Sequence, residues 1–188
     1  MQKELSSATR AVRKWIKGSK ALDVVLFGSA VRGKSIPNDI DLCILIRDDD
    51  EKRSLDLVDS LGRATDGLGF KFHINVLTSG SFLAGNPLAK TLLNEGYSIK
   101  KGRMLSAVLG FQNKSLFIYT LKHFSPSGRV KFHYLLKGRY GSEGILKEAE
   151  GEFLGTGSIL VPTSKEDLLK EVFDKWGVKY RIERMLIG

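Results

Sequence analysis

Two aspartates stand one residue apart in the apolar run "DIDLCILI", residues 39–46, and nine residues separate Asp39 from the Gly28-Ser29 pair upstream. Side chains alternate across a strand. A strand here therefore puts Asp39 and Asp41 on one face, with Ile40, Leu42, Ile44 and Ile46 on the other. Two neighbouring carboxylates repel one another. A divalent cation removes the repulsion, and hard oxygen donors suit Mg²⁺, which also binds phosphate oxygens. A bare Asp-x-Asp is more often a solvated strand end. The Gly-Ser pair changes that weighing. Glycine lets backbone approach a ligand closely, and N–H groups with a serine hydroxyl at a helix start are donors for phosphate. Gly28 and Ser29 are thus the expected phosphate cradle, with Arg32 and Lys34 adding positive charge. Asp39 and Asp41 are the expected metal ligands.

The elements that must hold these residues follow from periodicity. Residues 3–17 read as an amphipathic helix through Leu5, Ala8, Val12, Trp15 and Ile16, closed by Gly18. "ALDVVLF" reads as a strand ended by Gly28, "SAVRG" as a turn or helical start, and "DIDLCILI" as the next strand. Residues 51–64 read as a helix with Leu55, Leu57, Val58 and Leu61 as its apolar face. The acidic "DDDE", 48–51, suits that helix start better than a metal. "FKFHINVL", 70–77, alternates as a third strand. "PLAKTLLNEG" is a helix with Pro87 near its start and Gly96 after its end. "YSIKKG" is a short strand or hairpin. The fold class is α/β (α+β), with a small mixed sheet and flanking helices over residues 1–104.

A change of character near residue 104 marks a second unit, a small basic α+β domain over residues 105–188. It is expected to begin with a basic helix at about 113–123. A further helix lies in "SPSGRVKFHYLLKGRYG" and a strand at "GSILVP". Ser164 is placed as the cap of a helix whose face is Leu168, Leu169, Val172, Phe173 and Trp176, and "VKYRIE" is a closing strand. Net charge is +9. Between Glu95 and Glu143 nine Lys and Arg stand with no Asp or Glu. Segment 96–142 is therefore a candidate polyanion footprint, with RNA as the first partner considered and Arg129, Lys131, Lys137 and Arg139 as its contacts. A solvated basic surface is the even alternative.

"FGSAVRGKSIPNDIDLCI" resembles the signature of the polymerase β-like nucleotidyltransferase superfamily, closest to its minimal members with GSxxRG followed by S/N-D-I-D-L. The resemblance covers residues 20 to about 102. Residues 105–188 are similar to the C-terminal extension of archaeal members of that group. The resemblance implies transfer of a nucleoside monophosphate from an NTP, such as ATP, to an acceptor, with release of pyrophosphate. It implies that Gly28 and Ser29 hold the triphosphate and that Asp39 and Asp41 bind two Mg²⁺ ions, for which Mn²⁺ can stand in. The pattern departs at one place. The superfamily carries a third carboxylate on a neighbouring strand, and "FKFHINVL" has none. His73 or Asn75 takes that position, and His73 is favoured by spacing; a neutral histidine can act as base but is a poorer Mg²⁺ ligand than a carboxylate. An enzyme using His73, a weak transferase with two carboxylates, and a non-catalytic nucleotide- or RNA-binding protein all stay open. The acceptor can equally be a protein or a small molecule.

The lone Cys43 cannot form an internal disulfide, and the longest apolar runs are too short to span a bilayer. The expectation is a cytoplasmic protein without membrane contact. Cys43 shares the aspartates' face and packs beneath them. His123 and His133 lack metal-ligand spacing and read as surface or core histidines.

Overall fold

The computed structural model describes residues 3–32, 39–47 and 50–188, with the side chains of residues 3–5 and 32 left undescribed. Lys34, Asp48 and Asp49, and the side chains of Leu5 and Arg32, lie outside the described set. The chain is α+β and forms two compact units, Met1–Gly110 and Phe111–Gly188. Among the described residues no helix is long and apolar enough to cross a membrane.

The first unit runs α1 (Lys3–Gly18), β1 (Asp23–Phe27), α2 (Ser29–Arg32), β2 (Asp39–Ile46), α3 (Glu51–Thr65), β3 (Lys71–Thr78), α4 (Ser79–Leu83), α5 (Pro87–Glu95), β4 (Tyr97–Ser98), β5 (Arg103–Met104) and α6 (Leu105–Val108). Its sheet has the order β3-β2-β1-β4-β5. Only β2 and β3 run parallel; every other pair is antiparallel. Both faces are buried. Val24 and Leu26 of β1 and Ile40, Leu42 and Ile44 of β2 pack under Ala8, Val12 and Ile16 of α1 and Leu57 and Leu61 of α3. The alternate residues, Val25, Phe27 and Cys43, pack with Ala89 and Leu92 of α5 and Leu105 of α6. The hydrophobic effect thus pins the register of β2 from two sides, because a slip by one residue would drive Asp41 into the α1–α3 layer.

The ends of the helices follow the sequence closely. Asp50 caps α3 by accepting the N–H of Arg53 at 3.1 Å. Asn86 caps α5, with Pro87 as its first residue. Leu55 departs from the expected face of α3 and is 61% exposed. At 100° per residue it stands about 200° from Leu57, on the far side of the helix.

The second unit runs β6 (Gln112–Thr120), α7 (Pro126–Lys137), α8 (Ile145–Glu148), β7 (Glu152–Gly155), β8 (Ser158–Pro162), α9 (Glu166–Lys175) and β9 (Lys179–Ile187), with a 3₁₀ turn at Thr163–Lys165. Its four strands are antiparallel in the order β7-β8-β6-β9. Phe117, Phe132, Leu136, Ile159, Val161, Leu169 and Phe173 form its core.

Residues 112–120 form a strand, not the expected basic helix. "QNKSLFIYT" pairs along both edges, with β8 and with β9, and Leu116, Phe117, Ile118 and Tyr119 are apolar in succession, so the sequence hides the alternation by which Phe117 and Tyr119 face the core. Ser164 does not cap α9. It lies in the 3₁₀ turn, and α9 starts on Lys165 with no side-chain cap. The buried Glu166 fixes that start instead, accepting from Ser115 Oγ at 2.7 Å and from Arg184 Nη2 at 2.8 Å.

Candidate active site

Gly28 ends β1 in a left-handed conformation, φ +73°, and Ser29 opens α2 with its side chain exposed. In the β1–β2 register Phe27 faces Asp41. Gly28 therefore lies against the Asp41 side chain, and a Cβ built on it would meet Asp41 Oδ2 at 2.3 Å. No other residue type can keep both this backbone turn and this approach. The two halves of the sequence motif meet at that contact.

The parallel β2–β3 register puts His73 opposite Asp41 and Lys71 opposite Asp39. His73 Nδ1 lies 3.4 Å from Asp41 Oδ1, with the side chains 46% and 30% exposed. That contact is longer than a strong hydrogen bond and leaves His73 Nε2 as the second ring nitrogen. Asn75 stands opposite Cys43, deeper along the strand than the carboxylate pair. His73, rather than Asn75, is thus the polar residue of β3 that faces Asp41. Asp39 is exposed at the strand start. Cys43 lies on the same face, fully buried under α5, and burial pushes its thiol up to about 12. It is packing, not a nucleophile.

Two side chains join the site that sequence reasoning did not select. Lys71 enters through the parallel register, which a single strand does not reveal. Glu95, the last residue of α5, accepts the backbone N–H of Gly28 at 3.2 Å through Oε1. Its place depends on Gly96, where a Cβ would meet Leu92 O at 2.3 Å and Val25 Cγ1 at 2.7 Å. The end of α5 therefore seats directly on β1. Asp23 holds the following hairpin in place, accepting from Ser98 Oγ and from the N–H of Lys100. A Glu before a Gly carries no sequence signal for such a role.

The fit for a divalent cation rests on donor chemistry. Asp39 and Asp41 supply hard oxygens from one strand face, as Mg²⁺ or Mn²⁺ requires. Among the described residues no three of His, Cys, Asp and Glu are grouped around a common metal position. The remaining donors would come from water and phosphate, the usual situation for Mg²⁺ at a nucleotide.

Of the proposed polyanion contacts, Arg129, Lys131 and Lys137 project from α7, and Arg139 follows it; all four are exposed. Arg129 donates to Phe124 O and Lys122 O, each at 3.1 Å. The Arg139 guanidinium lies over the Tyr134 and Tyr140 rings, 5.1 and 4.8 Å from their centroids.

Residues 9–88 match the family described as the nucleotidyltransferase domain. No curated protein matches the chain. Among solved structures, a toxin–antitoxin complex with AMP-PNP is 21% identical, with 48% of this chain and 71% of that chain covered and a TM-score of 0.36. A mutant of the MntA–HpeT toxin–antitoxin pair is 23% identical over 52% and 73% of the two chains, TM-score 0.35. A tri-AMPylated Shewanella oneidensis HEPN toxin in complex with MNT antitoxin gives 23% identity over 49% and 71%, TM-score 0.33.

Proposed function

We propose that this chain, whose residues 9–88 belong to the nucleotidyltransferase domain family of the polymerase β-like superfamily, transfers a nucleoside monophosphate from an NTP to an acceptor hydroxyl. The observation that carries the reading is the convergence of Gly28, Asp41 and His73: the Asp41 carboxylate packs on the Gly28 turn and meets His73 Nδ1 at 3.4 Å.

In this reading Gly28 and Ser29 hold the triphosphate, with Lys71, Arg32 and Lys34 adding charge. Asp39 and Asp41 hold the divalent cation, Mg²⁺ or Mn²⁺, which when bound offsets the phosphates' charge and that of the leaving oxygen. The acceptor oxygen attacks the α-phosphorus in line as the bond to the α,β-bridging oxygen breaks, and pyrophosphate departs. The acceptor's proton passes to His73 Nε2, while Nδ1 is turned to Asp41. Asp41 thereby orients the base, and little covalent work is left to the protein. The acceptor is a nucleic acid, RNA foremost, held through the basic segment 96–142.

One observation favours a second reading, binding of nucleotide or RNA without transfer. The residue of β3 that faces Asp41 is His73 and not a carboxylate. Incubation with α-labelled NTPs, Mg²⁺ or Mn²⁺ and pools of RNA and protein decides between them. Label transfer that Asp41→Asn abolishes is the expected result. Absence of both transfer and pyrophosphate release across all pools overturns the enzyme reading.

A further inference from the structure

Two hollows on the second unit adjoin along α7. The larger, about 880 Å³, lies between α7, the end of β6 and β7; the smaller, about 500 Å³, lies at the C-terminal end of α7. His133 and Tyr134 line both. Their combined walls contain Lys122, Arg129, Lys137 and Arg139 and not one Asp or Glu. A surface with that charge suits a polyanion.

The rings on this surface make the partner more specific. His133 stacks on Phe153 with centroids 5.8 Å apart and planes at 29°. Tyr134 and Tyr140 lie beneath the Arg139 guanidinium. Tyr140 is 92% exposed and holds φ +46°, a region that favours glycine. An exposed ring on such backbone contributes little to the core, yet the turn that presents it is built firmly. Gly138, φ +91°, donates to Tyr134 O at 2.7 Å. Ser142 Oγ donates to Arg139 O at 2.6 Å and accepts the Arg139 N–H. Cations beside the exposed His133, Tyr134 and Tyr140 rings match phosphates beside unpaired bases. A duplex hides its base faces, and an acidic peptide offers few planar groups to stack.

We infer that this surface of the second unit binds single-stranded nucleic acid, with bases on Tyr140, Tyr134 and His133 and phosphates at Lys122, Lys137 and Arg139. The inference deepens the proposed acceptor reading and rests on it for biological sense, but binding is measured without transfer. Fluorescence anisotropy of a labelled 12-nucleotide single strand with the full chain is the test. The single strand is expected to bind, and the same sequence as a duplex to bind at least about tenfold more weakly. Affinity should fall log-linearly with salt, with a slope near −0.7 per phosphate neutralised. Tyr140→Ala and Tyr134→Ala should each weaken binding about tenfold. Lys175→Ala, an exposed position on α9 that lines neither hollow, should leave it within about twofold, and circular dichroism checks that the variants stay folded. Equal affinity for a polyglutamate peptide, no binding at low salt, or binding untouched by the double tyrosine variant each overturns the inference. Asp41→Asn separates the two readings: it should abolish transfer and keep oligonucleotide affinity. Transfer to a protein acceptor without oligonucleotide binding would sink this inference alone.

Discussion

At Gly28 a single hydrogen atom separates a working contact from a clash. Gly28→Ala would place Cβ 2.3 Å from Asp41 Oδ2 on a backbone at φ +73°. Gly67, φ +74° with open space around it, makes the matched control. Gly67→Ala should cost about 1 kcal/mol, the left-handed penalty alone. Gly28→Ala should cost about 1–2 kcal/mol more and reduce transfer at least about tenfold, because Asp41 has to move. Equal melting temperatures for the two variants would remove the packing of Asp41 on Gly28 from the account. The same scale contains Glu95. If triphosphate oxygens use the Gly28 N–H, Glu95→Ala removes a competing anion and should tighten NTP binding severalfold in a calorimetric titration. Weaker binding would instead make Glu95 part of the machinery. His73→Ala should lower transfer about 10²- to 10⁴-fold, the range of a general base, and leave NTP affinity unchanged; unaltered rates would exclude it from proton transfer. The Gly-Ser and Asp-x-Asp pairs could be read from one strand's alternation and a turn. His73 needed the position of a neighbouring strand, which spacing supplied. Lys71 and Glu95 needed the register and the seating of α5, which depend on tertiary packing and leave no local trace.

Among the elements, those covered on one side or bounded by caps were legible. The α1, α3 and α5 helices announce themselves through 3.6-residue spacing, the acidic run before α3, and Pro87 and Gly96 at the ends of α5. β6 did not, since Leu116, Phe117, Ile118 and Tyr119 are apolar in succession and hide the strand's alternation. The start of α9 was misread for a related reason. A serine at the boundary looked like a cap, while the fixing group is a carboxylate bonded to residues far away in sequence. The Arg184 guanidinium, with Lys170 and Ser115, holds the Glu166 carboxyl down at about 2, against the cost of burial. A depressed carboxyl contributes stability that is fully present above its unfolded value, near 4.5, and is lost as pH falls through about 2. Urea unfolding of the second unit should therefore weaken between about pH 4.5 and pH 2. Glu166→Gln should flatten that dependence and cost about 3 kcal/mol at pH 7, since charge-assisted bonds and a buried partner are lost together. A variant that keeps the wild-type slope would assign the acid sensitivity elsewhere.

For the whole molecule, the two units each close their own hydrophobic core. Among the described residues, the clusters around Leu61 and Leu92 draw only on the first unit and the cluster around Phe173 only on the second. The anion-free basic segment crosses the boundary, with Lys100, Lys101 and Arg103 in the first unit and the other six of its nine cations in the second. A chain built this way should melt in two steps. Phe173 is fully buried and makes edge contacts with Phe117, Tyr119, Phe132 and Tyr180, so Phe173→Ala should destabilise its own unit by about 3–5 kcal/mol. Calorimetry should show one transition move down and the other, belonging to the first unit, hold its temperature. NTP binding should persist at temperatures where only the second unit has melted, while capture of an oligonucleotide, and with it transfer and pyrophosphate release, is lost. A single transition that moves as one block in the variant would mean that the two cores fold as one cooperative body, and the acceptor surface could then not be altered independently of the chemistry.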